Sequence, residues 1–305
     1  MSEERLGIAA AIAAAIIYGA AYPATAVALR SFSPLAIAGL SCTLALVIVI
    51  GLAVTGVLPR PAFEAMTRPR LARLTLLALL GGILFIAGVN VAVAIAGPTI
   101  VGFVSPLYAV FATLFAVPLL GERVRAATLV AFGLAFSGTA LLAGAVPTGA
   151  PAGGILLALV SASMFGLYMV LARLWGASYR LDGTLVTIAN LVGRGPILLL
   201  AAVVLDPGGV MPAGPDPAAV VALLTIVFGS STSGNLLLMA SVRRVPAGRT
   251  SAALLLTPVS SAVIAAVVLG ERLSPGGLLG AALILAGMGV ASGLLTWRRA
   301  GVGLG

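Results

Sequence analysis

A chain of 305 residues that is 61% hydrophobic and 8% charged, with a mean hydropathy of +1.22, carries too much apolar surface for a water-soluble domain, so lipid is its expected solvent. All seventeen basic residues are Arg, there is no His, and the formal charge is +9; the placement of these arginines at the ends of apolar runs excludes a nucleic-acid face. Cys42 is the single cysteine and lies inside an apolar run, which rules out an intrachain disulfide and a cysteine-based metal site.

A membrane-crossing helix needs about 20 largely apolar residues. Ten segments qualify: 7–29, 34–57, 74–96, 99–119, 126–145, 153–173, 184–205, 218–240, 248–269 and 276–297. The first is too long for a signal-peptide core and recurs in similar form in mid-chain, so it reads as a retained span. The separations at Gly97-Pro98 and Val245-Pro246 are the shortest, and the parity of the whole count rests on them. With the N-terminus inside, the inside segments hold fourteen arginines, from Arg5 to Arg299, and the outside loops only Arg30 and Arg272. That asymmetry fits the positive-inside rule and places both termini in the cytoplasm of a cell inner (plasma) membrane. Trp297 beside Arg298 and Arg299 fits an interfacial anchor.

The chain also repeats itself. Gly121-Glu122-Arg123 returns as Gly270-Glu271-Arg272, Tyr18-Gly19 as Phe165-Gly166, and Asn90 as Asn235, with separations of 149, 147 and 145 residues. Residues 1–148 and 149–305 therefore read as two copies of a five-helix unit. An odd number of crossings per unit turns the second copy over. The two Glu-Arg pairs read as turn-closing groups, where a carboxylate beside helix N-termini is favourable.

Tyr18-Gly19-x-x-Tyr22-Pro23 in the first span, together with Pro258 twelve residues before Gly270-Glu271-Arg272-Leu273 and the matching Gly121-Glu122-Arg123-Val124, resembles the drug/metabolite transporter superfamily. The likeness is to its EamA-type ten-span family, and more narrowly to the YddG-type amino-acid exporters. The resemblance implies an all-α integral membrane fold, with two inverted five-helix repeats around a central cavity and spans five and ten at the periphery. Tyr18 stands where many members carry Trp, and Ser41 roughly where many carry Arg. Pro106 precedes Gly121 by fifteen residues rather than twelve, which marks the fourth span as locally different.

Polar groups at mid-membrane are costly and point to a cavity or a partner helix. Arg194, in the middle of the seventh span, costs about 2.5–3.5 kcal/mol on insertion scales, and no acidic residue lies near the centre of any expected span. It either pins helix carbonyls or faces the cavity, where it attracts a carboxylate or phosphate; the sequence leaves both open. Asn190 stands one helical turn before it on the same face. Asn90 and Asn235, at matching positions, read as one role on two sides of a pseudo-twofold axis, with interhelical hydrogen bonding favoured. Tyr22, Phe85, Tyr108, Phe165 and Tyr168 lie at mid-depth, where packing is the commoner role, and together around one cavity they suit amphipathic or aromatic ligands. Pro23, Pro106 and Pro258 are candidate hinges for alternating access.

The expectation is a secondary transporter, a facilitator or exporter of small metabolites and chiefly of amino acids, working as a monomer without cofactor or metal. Exchange of nucleotide sugars or sugar phosphates, or multidrug export, are the alternatives. No His, Lys or buried carboxylate is available for a general base or Schiff base, which argues against an enzyme. The same absence leaves no proton-coupling residue, so downhill transport is expected.

Overall fold

The computed structural model describes residues 3–58, 67–121, 126–144, 152–179, 183–242, 244, 253–254 and 256–291. Among them are helices and turns and no strand, as lipid requires of a chain that must satisfy its backbone internally. The helices form ten rods. They are α1 (Glu3–Ala28), α2 (Pro34–Val54), α3 (Arg68–Ala96), α4 (Pro98–Leu120), α5 (Ala126–Gly144), α6 (Ala152–Tyr179), α7 (Gly183–Leu205), α8 (217–242), α9 (Leu256–Leu269) and α10 (Pro275–Ala291). Seven, α1–α4 and α6–α8, contain stretches long and apolar enough to cross a membrane, while α5, α9 and α10 hold the shorter apolar runs Leu129–Leu141, Leu256–Leu269 and Pro275–Val290.

Local chemistry sets the ends. Ser33 accepts a hydrogen bond from the Ala36 amide ahead of α2, and Asp216 accepts one from the Ala218 amide ahead of α8, each with Pro in the first helical position. Gly97 adopts φ 82° and separates α3 from α4, so the turn at Gly97-Pro98 is a true break. Gly121 and Gly270, the glycines of the two repeated triplets, end α4 and α9 with φ 68° and 70°. The third rod starts at Arg68 rather than at 74, because Pro69 suits the first turn and the arginine stems can run along it to water. Val245-Pro246, Glu122-Arg123 and Trp297 lie outside the described residues.

Three rods are irregular. α3 carries a π-helical stretch, Ala78–Leu84, between Arg68–Leu77 and Phe85–Ala96. α8 carries another, Ile226–Gly234, between Pro217–Thr225 and Asn235–Val242. The two stretches occupy the same place in the two halves. α4 tightens to a 3-10 turn at Ser105–Leu107, where the sequence places Pro106 out of step with the second half.

Rod packing obeys one exchange rule. α1 packs on α9 as α6 does on α4; α3 on α6 as α8 on α1; α3 on α7 as α8 on α2. The pairs α2·α7, α4·α9 and α5·α10 map onto themselves. Individual glycines show the same relation. A Cβ on Gly138 would meet the Gly280 carbonyl oxygen at 2.5 Å and Ile284 N at 2.9 Å; one on Gly287 would meet the Ala131 carbonyl oxygen at 2.8 Å and Ala135 N at 3.1 Å. These partners are equivalent residues, and both contacts run antiparallel. Gly39 against Leu198–Leu199 and Gly195 against Cys42–Thr43 make a close antiparallel approach of α2 and α7. A pseudo-twofold axis thus relates the halves, with the second turned over.

Contacts at the rod ends respect the parity of the spans. Glu3 pairs with Arg244 at 2.9 Å, and the Arg73 guanidinium lies 5.6 Å from the Trp175 ring. At the opposite ends Arg30 faces Asp216 at 3.9 Å, the Asp216 amide donates to Ser31, and the Thr99 hydroxyl donates to Glu271. Glu271 therefore sits at the N-terminus of α4, where a carboxylate complements the helix dipole.

The seam between α5 and α10 is tight enough to test. Gly138→Leu should lower stability by about 1–3 kcal/mol through overpacking, measured by denaturant unfolding in detergent. Gly51→Leu, at a position with open space around a Cβ, should leave the midpoint close to wild type.

Candidate functional site

The π-helical stretch of α3 brings Gly81 and Gly82 against two large side chains. A Cβ on Gly81 would meet the Tyr168 ring at 2.5 Å, and one on Gly82 would meet Arg194 Cδ at 2.8 Å. The extra residue in a π turn rotates the following helix face, and the bare backbone lets α6 and α7 approach α3 closely. Phe85, the first residue after the stretch, stacks on Phe165 with ring centroids 4.4 Å apart. Phe165 stacks in turn on Tyr168 at 5.1 Å and meets Tyr108 edge-on at 4.9 Å. Gly166 makes this possible, since a Cβ there would meet the Tyr108 carbonyl oxygen at 2.9 Å.

Arg194 adjoins this aromatic wall. Its Nε is buried with no hydrogen-bond partner, and no ion pair to it occurs among the described residues. Tyr18 and Tyr168 both lie in its electrostatic field. Asn190, one turn earlier on α7, is within hydrogen-bonding reach of the Tyr168 hydroxyl. Across the group, the Tyr18 hydroxyl donates to Asn235 Oδ1 at 3.0 Å, while the Asn235 amide donates to the Ser231 carbonyl at 3.0 Å inside the π stretch of α8. Tyr18, Tyr108, Phe165, Tyr168, Asn190, Arg194 and Asn235 each keep part of their surface accessible, although they lie where helices converge.

Of the residues singled out from sequence, Phe85, Tyr108, Tyr168, Asn190, Arg194 and Asn235 come together. Tyr22 stands one turn beyond Tyr18 on α1, beside Ser105 and Gly102 of α4. Asn90 does not join them: it is buried, and its amide donates to the Pro34 carbonyl at the start of α2 at 3.2 Å. Asn90 and Asn235 are therefore not equivalent. The counterpart of Asn235 is Phe85, since each opens the helix after a π stretch and each meets the matching α6 or α1 residue, Phe165 or Tyr18. The 145-residue spacing of the two asparagines misleads because the π stretches differ in length, seven residues against nine. Phe165, read from sequence as a mid-depth aromatic, joins the group, and so does Tyr18, which the sequence marked as a repeat and family-motif residue rather than as a binding candidate; its position just before the crossing glycine Gly19 was the available signal. Pro23, Pro106 and Pro258 are all buried against neighbouring rods.

A model of the EamA-like transporter family matches residues 5–144 and 152–293, one match per half. A solved crystal structure that is 20% identical aligns over 94% of this chain and 96% of its own with a TM-score of 0.68; at that identity the likeness shows the fold alone. No protein of curated function matches by sequence.

The Tyr18–Asn235 bond is the polar link across α1 and α8. Tyr18→Phe should cost about 0.5–1.5 kcal/mol. Combined with Asn235→Ala in a double-mutant cycle read by thermal unfolding, it should give a clearly non-additive total.

Proposed function

Since the chain belongs to the EamA-like transporter family, a family of small-molecule membrane transporters rather than enzymes, we propose that it is a secondary carrier of amino acids, crossing the membrane ten times and alternating access around a site at mid-membrane. On this reading the shorter α5, α9 and α10 complete the count, and the fourteen-to-two arginine bias supports a plasma-membrane protein with both termini in the cytoplasm.

The unpartnered Arg194 carries this reading. A partly accessible guanidinium among helices, its Nε buried without a hydrogen bond and no acid paired with it among the described residues, asks for an anion from outside the protein, and its planar donors suit a carboxylate. The adjoining wall of Phe85, Tyr108, Phe165 and Tyr168 offers ring faces to an apolar side chain, and Asn190 and Asn235 supply amides for an amino group. One mid-membrane Arg, in a chain without Lys, is a poor match to the multiple charges of a nucleotide sugar. Pro23, Pro106 and Pro258 are the hinges on this reading, lying where α1, α4 and α9 cross.

Liposome uptake tests it. Across a screen of amino acids, nucleosides, sugars and drugs, amino acids should give saturable counterflow. Arg194→Ala should lower their uptake by roughly tenfold or more at unchanged expression, the loss expected for a charged hydrogen bond, with only partial recovery in Arg194→Lys. Unaltered affinity in Arg194→Ala would return the residue to a structural role. A pH gradient alone should not drive accumulation, because no described carboxylate lies at mid-membrane.

A further inference from the structure

Where α1, α4 and α9 cross, three hydroxyls are buried without a hydrogen-bond partner: Ser105 Oγ, Thr257 Oγ1 and Ser261 Oγ. Their residues are 0%, 4% and 0% exposed. A Ser or Thr inside a helix ordinarily returns its proton to the carbonyl one turn back, as Thr139 and Ser161 do here; these three do not. Thr257 and Ser261 are one turn apart on the same face of α9. Gly102 of α4 leaves room for the Ser261 hydroxyl and lies next to the Tyr22 ring, while a Cβ on Gly19 of α1 would meet the Thr257 carbonyl oxygen at 2.7 Å and Ser261 N at 2.9 Å. Ser105 interacts with the Tyr22 phenol without reaching hydrogen-bond geometry.

Two backbone oxygens at this crossing lack their ordinary helical donor. Pro23 has no N–H to return to the Gly19 carbonyl, and Pro106 has none for the Gly102 carbonyl. The two glycines that admit α9 are therefore also the two whose carbonyls lose their ordinary helical donor. The pseudo-twofold axis provides an internal control. At the matching crossing of α6 and α4, Gly166 meets Tyr108, Phe111 and Ala112 where Gly19 meets Thr257, Ser260 and Ser261. The α6·α4 crossing is built on the same glycine with Phe111 and Ala112 in the places of Ser260 and Ser261.

We propose that Thr257, Ser261, Ser105 and Tyr22, with the Gly19 and Gly102 carbonyls, form a binding site for a single sodium ion. All the donors are oxygen, which suits a hard cation. None is charged, which leaves a divalent ion uncompensated and favours a monovalent one. Carbonyls released where transmembrane helices are interrupted are the usual partners of such an ion. The proposal extends the carrier reading by naming a coupling ion other than the proton, but binding itself requires no substrate.

Purified full-length protein in detergent, incubated with radioactive sodium alone, should show saturable binding. Ser261→Ala and Thr257→Val should each weaken it by roughly tenfold, whereas Thr257→Ser, which keeps the hydroxyl, should stay within about threefold. Ser163→Ala, whose hydroxyl bonds its own helix, should match wild type. If Thr257→Val fails to fold, Ser261→Ala decides. Absence of saturable binding to the wild type, or equal affinity in wild type and Ser261→Ala, overturns the site and assigns the hydroxyls to ordered water. Sodium binding without amino-acid uptake would instead overturn only the substrate reading.

Discussion

Lipid tails are as apolar as leucine, so helices in a bilayer gain little by hiding side chains from one another; they associate through close packing and hydrogen bonds. In this chain that constraint is met by glycines at helix crossings. Gly19, Gly39, Gly138, Gly166, Gly195 and Gly287 each bring a neighbouring backbone to within the volume a side chain would occupy. The crossings fix which rods touch, and the rods in turn deliver Arg194 and the aromatic residues to one place. A site assembled this way depends on residues that carry no chemistry.

The sequence showed the architecture because its signals are local and repeated. Apolar run length, arginine placement and the duplicated Gly-Glu-Arg each report on the span that holds them, and the rods follow most of those bounds, with α3 starting early at Arg68, α6 running on to Tyr179 and α9 given from Leu256. The site was legible only in part. Arg194, Asn190, Tyr108 and Tyr168 declared themselves by polarity at depth. The pairing of Asn90 with Asn235 failed because equivalence was counted along the chain, whereas the two π stretches shift the register of α3 and α8 by different amounts. No propensity announces a π turn in a run of Ala, Leu and Gly, so nothing in the sequence showed that Phe85 would stand where Asn235 stands. Gly81 and Gly82 read as ordinary membrane glycines until Tyr168 and Arg194 were seen above them.

The backbone is thus more symmetric than the chemistry it carries. On one side of the axis the crossing is dry and aromatic, with Phe85, Phe165, Phe111 and Ala112. On the other it is Asn235, Tyr18, Ser260 and Ser261. Identical glycines hold both. The same geometry thus sets stacked rings on one side of the axis and hydroxyl and amide groups on the other.

The self-mapping pairs α2·α7, α4·α9 and α5·α10 are what an antiparallel homodimer of one five-helix unit would form, each face meeting its own copy. In such a dimer the two access states of a carrier would be images of one another and equal in energy. Joining the copies in one chain lets each face change alone, and every unequal pair, Phe85 against Asn235 or Ala112 against Ser261, lifts that degeneracy. If the chain alternates access as proposed, its unequal side chains set a preferred resting side on a backbone that is nearly symmetric.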